Sequence, residues 1–311
     1  MAASMDVAAA LALARRRGVD RLDAQVLLAH HLAQPRTWLI AHDDAPLPAE
    51  VQQRFTADLE SRAAGAPLAY LLGEREFHGL RLAVTPAVLV PRPETEVLVD
   101  WALALLGAQP GEQTGEQTDG QPGAPRVIDL GTGSGAIAVS VARRCPAARV
   151  SATDIDAGAL AVARANAQAL GCAIELHQGS WWSAVAGQRF ELALSNPPYI
   201  AGDDPHLAAL RYEPRHALTP GGDGLDALRM IVAGAPAHLE AGGWLLVEHG
   251  FDQGAAVRAL LVDAGFETVQ TRRDLAGHER CSGGRWGAGP AAESHVTGSR
   301  GTAGGDAKHA T

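Results

Sequence analysis

The tetrapeptide Asn196-Pro197-Pro198-Tyr199 follows a mostly apolar segment and contains residue types suited to holding a planar nitrogen. The prolines fix their own φ angles and favour extended geometry in the residues before them, so the Asn196 side chain and the Pro197 carbonyl have little freedom. Both groups are acceptors, and together they can take both hydrogens of one NH2 group. Tyr199 can cover the flat face of that group, which leaves the nitrogen lone pair free for an electrophile. A simple Asn-Pro turn is equally compatible with the tetrapeptide alone.

A glycine-rich loop, Asp129-Leu-Gly-Thr-Gly-Ser-Gly135, lies between a predicted strand at 126–130 and a predicted helix at 134–144. Glycines permit tight turns and close ligand approach, and a helix N-terminus presents unpaired N–H groups. The next predicted strand ends at Asp154, about 20 residues beyond the loop, where a carboxylate can accept hydrogen bonds from both ribose hydroxyls. These features predict a nucleoside cofactor contacted by Gly131, Thr132, Gly133, Ser134, Gly135 and Asp154.

The glycine spacing alone does not identify that cofactor, because Gly131-x-Gly133-x-x-Ala136 also satisfies the dinucleotide fingerprint of NAD enzymes. Asp129 would repel a pyrophosphate but tolerates a ligand with a positive amino group and sulfonium. It is equally suited to capping the amides of the loop. Trp181 follows the third predicted strand and can form a flat wall against adenine. Together with the Asn-Pro-Pro-Tyr loop, these residues favour S-adenosylmethionine, and an NAD-dependent oxidoreductase stays open as an alternative.

The combination of Asp129-Leu-Gly-Thr-Gly-Ser-Gly135, Asp154, Trp181 and Asn196-Pro-Pro-Tyr199 resembles the class I S-adenosylmethionine-dependent methyltransferases that act on amino groups. Three upstream segments narrow the resemblance. Pro67-Leu-Ala-Tyr-Leu-Leu-Gly73, Glu76-Phe77 and Leu89-Val-Pro-Arg-Pro-Glu-Thr-Glu96 are similar to segments of the protein-(glutamine-N5) methyltransferases that modify peptide-chain release factors. The similarity covers roughly residues 5 to 287.

The resemblance implies an enzyme that transfers a methyl group from S-adenosylmethionine to the N5 of the glutamine in the Gly-Gly-Gln motif of release factors. Asn196 and Pro197 would be catalytic, and Pro198 and Tyr199 would join them in binding the substrate. Cofactor contacts are expected from Asp129, residues 131–135, Asp154, Trp181 and Asn196. An exocyclic base nitrogen of DNA or RNA is an alternative substrate, because the same loop can hold an adenine NH2 after base flipping. A non-catalytic ribosome-associated module is a further alternative.

Other polar residues near these motifs are left outside the catalytic set. Arg92 and Glu94 can shape a pocket, or Pro91 and Pro93 can simply make a rigid inter-domain turn around them. His249 can act as a base, but a polar residue at the end of a strand is the more ordinary interpretation. The segment around Tyr212 is expected to border the substrate entrance without taking part in chemistry.

Composition and charge restrict the partners. The net charge of −9 and the absence of an obvious basic recognition segment argue against a nucleic-acid substrate. The chain contains 3 isolated cysteines without metal-ligand spacing, so no metal is expected. Without a predicted membrane span or secretory signal, we expect a cytoplasmic protein that acts as a monomer on release factors.

Helical periodicity and punctuation divide the chain into regions. We expect an N-terminal helical substrate-recognition domain at 1–66, a linker at 67–93 with strand character from Leu68, a methyltransferase domain at 94–287 and a flexible tail at 288–311. Residues 108–125 are rich in Gly, Gln, Pro and Glu and predict a disordered insert.

Alternation of strands and helices after residue 126 predicts a mostly parallel α/β sheet behind an N-terminal helical bundle domain, and the resemblance implies that this sheet is the Rossmann-like sheet of class I methyltransferases. Strands are predicted at 126–130, 149–153, 173–177, 190–195, 243–248 and 266–272, and helices at 134–144, 157–170, 224–239 and 252–264. The resemblance implies a seventh, antiparallel strand near 281–287, where the sequence is glycine-rich.

Overall fold

The computed structural model describes residues 5–107 and 123–287, so most of the predicted insert and the whole predicted tail lie outside the described residues. The N-terminal region is helical. Its helices are α1 (Val7–Arg16), α2 (Arg21–Leu32), α3 (Arg36–Ala41), α4 (Ala49–Ala63) and α5 (Leu68–Leu72). The Asp6 carboxylate caps α1 by accepting from the Ala9 N–H at 2.7 Å, and Asp20 caps α2 in the same way through Leu22. Leu27, Leu28 and Phe55 are buried between these helices.

The strand character that we expected from Leu68 onward is wrong for residues 68–72, which form helix α5. Pro67 occupies the N-cap position, and Gly73 ends the helix with a φ of 73°. Leu68, Leu71 and Leu72 pack against the helical core, so this turn belongs to the N-terminal helical unit. Tertiary packing of three leucines therefore decides the conformation of a segment that is too short for periodicity to classify.

A hairpin connects the helical unit to the rest of the chain. Its strands are β1 (Glu74–Phe77) and β2 (Leu80–Ala83), which pair antiparallel. The Asn166 side chain bonds both backbone polar groups of Ala83, at 2.7 and 3.0 Å, and donates to the Ser134 carbonyl at 2.8 Å. Asn166 is buried and thereby ties the hairpin to the glycine-rich loop.

The remaining elements form a seven-stranded sheet with helices on both faces. Its strands are β3 (Arg126–Leu130), β4 (Arg149–Asp154), β5 (Ile174–Gln178), β6 (Phe190–Ser195), β7 (Leu239–Glu248), β8 (Phe266–Arg273) and β9 (Glu279–Trp286). The helices are α6 (Glu96–Leu105), α7 (Ala136–Arg144), α8 (Ala157–Ala169), α9 (Asp226–His238) and α10 (Gly254–Asp263). The strand order is β5-β4-β3-β6-β7-β9-β8, and β9 runs in the direction opposite to the other six strands. The predicted fold class is confirmed.

Alternate residues of the central strands face opposite cores, because successive side chains of a strand point to opposite faces. Val127 and Leu246 join the core formed with α6 and α7, whereas Ile128 and Leu245 join the core formed with α9 and α10. The parallel strands β3, β4, β6 and β7 therefore end at one edge of the sheet, buried on both sides. Polar residues that follow these strands are brought together at that edge.

The seventh strand is confirmed as β9, and its position explains the weak sequence signal. A Cβ at Gly283 would lie 2.6 Å from the Leu245 carbonyl oxygen and 3.2 Å from the Trp101 ring. Glycine is therefore required by packing against β7 and α6, and a glycine-rich strand has few side chains that could show alternation. Among the described helices, none is long and apolar enough to cross a lipid bilayer.

Candidate active site

The glycine-rich loop folds over the end of β4. The backbone N–H groups of Gly131 and Thr132 both donate to the Thr153 carbonyl at 2.9 Å. Gly133 N–H donates to Asp154 Oδ2 at 2.9 Å, and Asp156 N–H donates to Asp154 Oδ1 at 2.9 Å. Asp154 thus braces the loop with both oxygens, and each oxygen retains a further lone pair for a ligand.

A cavity of about 770 Å³, called the larger cavity below, opens beside this loop. It brings together predicted site residues from four strand ends and is lined, among others, by Gly131, Thr132, Gly133, Ser134, Asp154, Trp181, Asn196 and Pro198. Most of the predicted cofactor residues therefore share one cavity at the carboxyl edge of the sheet. Asp129 and Gly135 do not line it.

Asp129 lies beneath the loop and has no exposed surface. Its Oδ2 accepts from the Thr132 hydroxyl at 2.6 Å and from the Ala138 N–H at 3.3 Å. Burial raises the pKa of this carboxyl to about 7, against the effect of those two hydrogen bonds. Within the described chain no group donates to Asp129 Oδ1, which is also buried. Asp129 therefore contacts the loop through the Thr132 hydroxyl and the first turn of α7 through the Ala138 N–H, and not through the loop amides that the sequence suggested.

Gly135 serves the packing of two helices. Its φ is 82°, and a Cβ there would lie 3.1 Å from the Ala163 Cβ of α8 and 3.3 Å from Val139 of α7. The absence of a side chain lets α7 approach α8 closely at the end of the loop. Its contribution to a ligand site is therefore the placement of the α7 N-terminus.

Trp181 begins a short 3₁₀ helix that spans Trp181–Val185, with a φ of 47° in the left-handed region. Its neighbour Trp182 is buried, donates from Nε1 to the Ile231 carbonyl at 2.8 Å and stacks on His238. These contacts fix the turn and hold the Trp181 ring over Gly131. A left-handed tryptophan costs on the order of 1 kcal/mol, so the surrounding contacts must overdetermine its conformation.

Gly131→Ala should weaken binding of S-adenosylmethionine by roughly tenfold or more, which equals about 1.4 kcal/mol. A Cβ at this position would lie 2.9 Å from the Trp181 ring on a backbone with a φ of 74°. The new methyl group would displace the ring from the cavity wall. Calorimetric titration with the cofactor measures the effect.

Gly171→Ala is the matched control for this substitution. Gly171 has a φ of 65°, but a Cβ added there would have no atom within 4 Å, and the residue does not line the larger cavity. It should show the cost of backbone strain in thermal unfolding while leaving cofactor affinity unchanged. Equal affinities for the two alanine variants would contradict the assigned contact between Gly131 and Trp181.

The Asn-Pro-Pro-Tyr loop separates the larger cavity from a second one of about 550 Å³, called the smaller cavity below. Asn196 lines both cavities, Pro198 lines the larger one, and Pro197 and Tyr199 line the smaller one. Arg92, Leu89 and Ala217 are the other residues that line both. The two cavities thus meet at the amide of Asn196.

The Asn196 side chain is held by a residue that the sequence analysis did not single out. Its Nδ2 donates to the Thr95 hydroxyl at 3.0 Å, and Thr95 is buried. Within the described residues, no group donates to Asn196 Oδ1 or to the Pro197 carbonyl. The two acceptors named from the sequence therefore remain available for a ligand.

Arg92 is held in the wall of both cavities by an ion pair with Glu213. Glu213 is buried, and its other oxygen accepts from the Val90 N–H at 3.0 Å. The neighbouring Arg211 and Tyr212 side chains both donate to the Ala64 carbonyl at the end of α4. The loop between β6 and α9 therefore links the helical unit to the cavity wall.

His249 is fully buried, and its contacts are those of a structural residue. Its ring nitrogens bond the Gly250 carbonyl and the Ser282 hydroxyl, each at 2.8 Å. Burial lowers the pKa of this histidine, which favours the neutral ring. The interpretation that left it outside the catalytic set agrees with these contacts.

Comparison with known protein families matches two segments of the chain. Residues 7–73 match the PrmC N-terminal domain, and residues 120–225 match the methyltransferase small domain. The first match spans the helical unit including α5. The second spans β3 to β6 and the loops after these strands, which supply part of the lining of the larger cavity.

Curated relatives match nearly the whole described chain. The release factor glutamine methyltransferase of Bordetella pertussis is 52% identical over 86% of this chain and 95% of its own length. The protein of the same name from Xylella fastidiosa, strain Temecula1, is 50% identical over 89% of this chain and 97% of its own length. The hMettl16 catalytic domain, solved with a MAT2A 3′UTR hairpin, has the same fold with a TM-score of 0.53 and 15% identity over 74% of this chain and 80% of that one. Because the first two relatives are this similar over almost their full lengths, the chain belongs to the family of release factor glutamine methyltransferases.

Proposed function

We propose that the protein transfers a methyl group from S-adenosylmethionine to the side-chain amide nitrogen (N5) of the glutamine in the Gly-Gly-Gln motif of peptide-chain release factors. The observation that carries the proposal is the meeting of two cavities at Asn196. One side offers a site for a nucleoside cofactor, and the other side offers two unpaired carbonyl acceptors to an incoming amide. Because release factors act in translation, the reaction would take place in the cytoplasm.

The larger cavity fits S-adenosylmethionine in donor set and charge. The Asp154 carboxylate has lone pairs for ribose hydroxyls, and the loop glycines lower the steric barrier to close approach. The Trp181 ring supplies an apolar wall for an adenine. The Asp154 carboxylate, which lines this cavity, also favours a positively charged ligand over a pyrophosphate.

When bound, S-adenosylmethionine supplies an electrophilic methyl group whose bond to sulfur breaks with its electron pair left on sulfur. The residues of this chain act on the nucleophile. An amide nitrogen is a poor nucleophile because its lone pair is delocalised into the carbonyl group. Asn196 Oδ1 and the Pro197 carbonyl would accept hydrogen bonds from the two N–H groups of the substrate amide. These bonds would orient the nitrogen lone pair toward the larger cavity.

The same two acceptors favour the transition state over the ground state. The N–H bonds of the amide become more positive as the new N–C bond forms, so hydrogen bonds to the two carbonyl oxygens strengthen during the reaction. Tyr199 would lie against the flat face of the amide from the smaller cavity. The methylated amide cation is strongly acidic and loses its extra proton to water, so no base is needed before methyl transfer.

The helical unit would dock the protein substrate, with residues 1–66 as the recognition domain, 67–93 as the linker and 94–287 as the catalytic domain. The ties from Arg211 and Tyr212 to Ala64 support a fixed position for this unit beside the smaller cavity.

Incubation of a purified release factor with the enzyme and methyl-labelled S-adenosylmethionine should add one methyl group to the Gly-Gly-Gln glutamine. Peptide mass spectrometry with fragmentation locates the label. A release factor carrying Gly-Gly-Asn is the matched control and should stay unmodified, because its amide is one methylene too short to reach Asn196. An unmodified glutamine in the native motif, or label in added DNA or RNA instead, would refute the proposal.

A further inference from the structure

Glu248, at the carboxyl end of β7, lines the smaller cavity and has almost no exposed surface. The Tyr199 hydroxyl donates to its Oε1 at 3.1 Å. The Thr95 hydroxyl also interacts with this carboxyl and favours its ionised form. Glu248 is therefore connected to Tyr199 directly and to Asn196 through Thr95.

The chemistry of these groups fixes the direction of each hydrogen bond. An ionised carboxylate only accepts, so the Thr95 hydroxyl must donate its single proton to Glu248. The Thr95 oxygen is then left as an acceptor toward Asn196. An acceptor selects the NH2 end of the Asn196 amide, which leaves the carbonyl end for the substrate.

We propose that Glu248 is a positioning residue, which acts through Thr95 to keep the Asn196 amide in the orientation that presents Oδ1, not Nδ2, to the substrate nitrogen. Without an acceptor-only partner, the Thr95 hydroxyl can donate to Asn196 Oδ1, and the amide can turn over. The flipped amide would direct its own NH2 at the NH2 group of the substrate. The assignment of this role in catalysis rests on the proposed function.

The negative charge of Glu248 also favours methyl transfer in a second way. The residue lines the smaller cavity but not the larger one, so its carboxylate lies on the side of the amide acceptors. Positive charge moves from the larger to the smaller cavity during methyl transfer, and an anion on the receiving side favours that movement. The charge therefore stabilises the transition state more than the ground state.

Several charged and titratable groups face this carboxyl. The pKa of Glu248 is raised to about 7, because burial and, less strongly, Glu94 raise it by more than Thr95, Tyr199 and Arg280 lower it. The buried Cys281 thiol also interacts electrostatically with Glu248. Because the ionised form orients Asn196, the active orientation is lost as the pH falls through about 7.

Glu248→Gln should lower kcat for the release factor by roughly 30-fold or more, while KM for the release factor and Kd for the cofactor stay within about threefold. The acid limb of the kcat profile near pH 7 should disappear in this variant. Thr95→Val should lower kcat about tenfold, and Thr95→Ser, which keeps the hydroxyl, should rescue it. The double variant should lose less than the product of the two single losses, because both changes act on one chain of hydrogen bonds.

A second measurement needs no substrate. The ¹⁵N and ¹H resonances of the Asn196 side-chain NH2 should titrate with a midpoint near pH 7 in the native protein and in Thr95→Ser, but not in Glu248→Gln or Thr95→Val. Loss of release factor methylation by the native enzyme would refute the proposed function and leave this titration to decide the role of Glu248. Native-like kcat with a retained acid limb in Glu248→Gln, or an Asn196 resonance that ignores both substitutions, would overturn the inference.

Discussion

Asn196→Ala should reduce kcat for glutamine methylation by roughly 10³-fold while cofactor affinity changes by less than about threefold. The substitution removes one of the two carbonyl acceptors and leaves the NH2 group of the substrate without its partner. It also removes the contact with Thr95, but it leaves the glycine-rich loop and the contacts of Asp154 intact. Single-turnover kinetics at saturating cofactor, together with calorimetric titration of the cofactor, separate the two effects.

Asn196→Gln is the matched control, because it keeps the amide and moves it by one methylene. A displacement of about 1 Å is expected to cost roughly 10²-fold, so this variant should fall between the native enzyme and the alanine variant. A kcat near the native value for either variant would show that the Asn196 oxygen does not hold the reacting amide. Thermal unfolding should be nearly unchanged in Asn196→Gln.

Asp154→Ala should weaken binding of S-adenosylmethionine by roughly 10²-fold, because two hydrogen bonds to a charged acceptor are lost at about 1.5 kcal/mol or more each. The loop also loses its brace, since Gly133 N–H and Asp156 N–H both donate to this carboxylate. At saturating cofactor, kcat should stay within about tenfold of the native value. Equilibrium titration and kinetics at high cofactor concentration measure the two quantities.

Asp154→Asn is the milder change at the same position, because only one of the two oxygens that brace the loop is replaced. It retains one acceptor oxygen and the shape of the side chain, so cofactor affinity should fall less than in the alanine variant. Asn196→Ala is expected to lower mainly kcat, whereas Asp154→Ala is expected to lower mainly the affinity for the cofactor. Equal losses of cofactor affinity in both would contradict that division of roles.

The sequence predicted the sheet well, because its strands carry their signal in short apolar runs that end at polar residues. Leu245 and Leu246 face different cores, so both had to be apolar, and the run that contains them marked a strand buried on two faces. The start of β7 at Leu239 was missed by four residues from the predicted 243. Gly242 and Gly243 have no side chains that could extend the apolar run, whereas the strand passes through them with a shift of register against β6.

Local pattern could not assign roles within the glycine-rich loop. Asp129 and Gly135 belong to the same motif as Gly131 and Gly133, yet neither lines the larger cavity. The Asp129 carboxylate accepts hydrogen bonds from Thr132 and Ala138. The space beside Gly135 is filled by α8. Such distinctions depend on partners that are close in space, and the motif alone carries no record of them.

Thr95, Glu213 and Glu248 were not predicted as site residues for a similar reason. Each is a polar residue whose partner lies far along the chain, for example 101 residues away for Thr95 and Asn196. A signal existed for Glu248, which terminates the apolar strand whose end faces the site. For Glu213, only the structure of the loop relates the residue to Arg92.

The loop between β6 and α9 connects the wall of both cavities to the helical unit. Glu213 forms an ion pair with Arg92 and accepts a hydrogen bond from the Val90 N–H. Its neighbours Arg211 and Tyr212 donate hydrogen bonds to the carbonyl group at the end of α4. The position of Arg92, which lines both cavities, is thereby tied to the position of the helical unit.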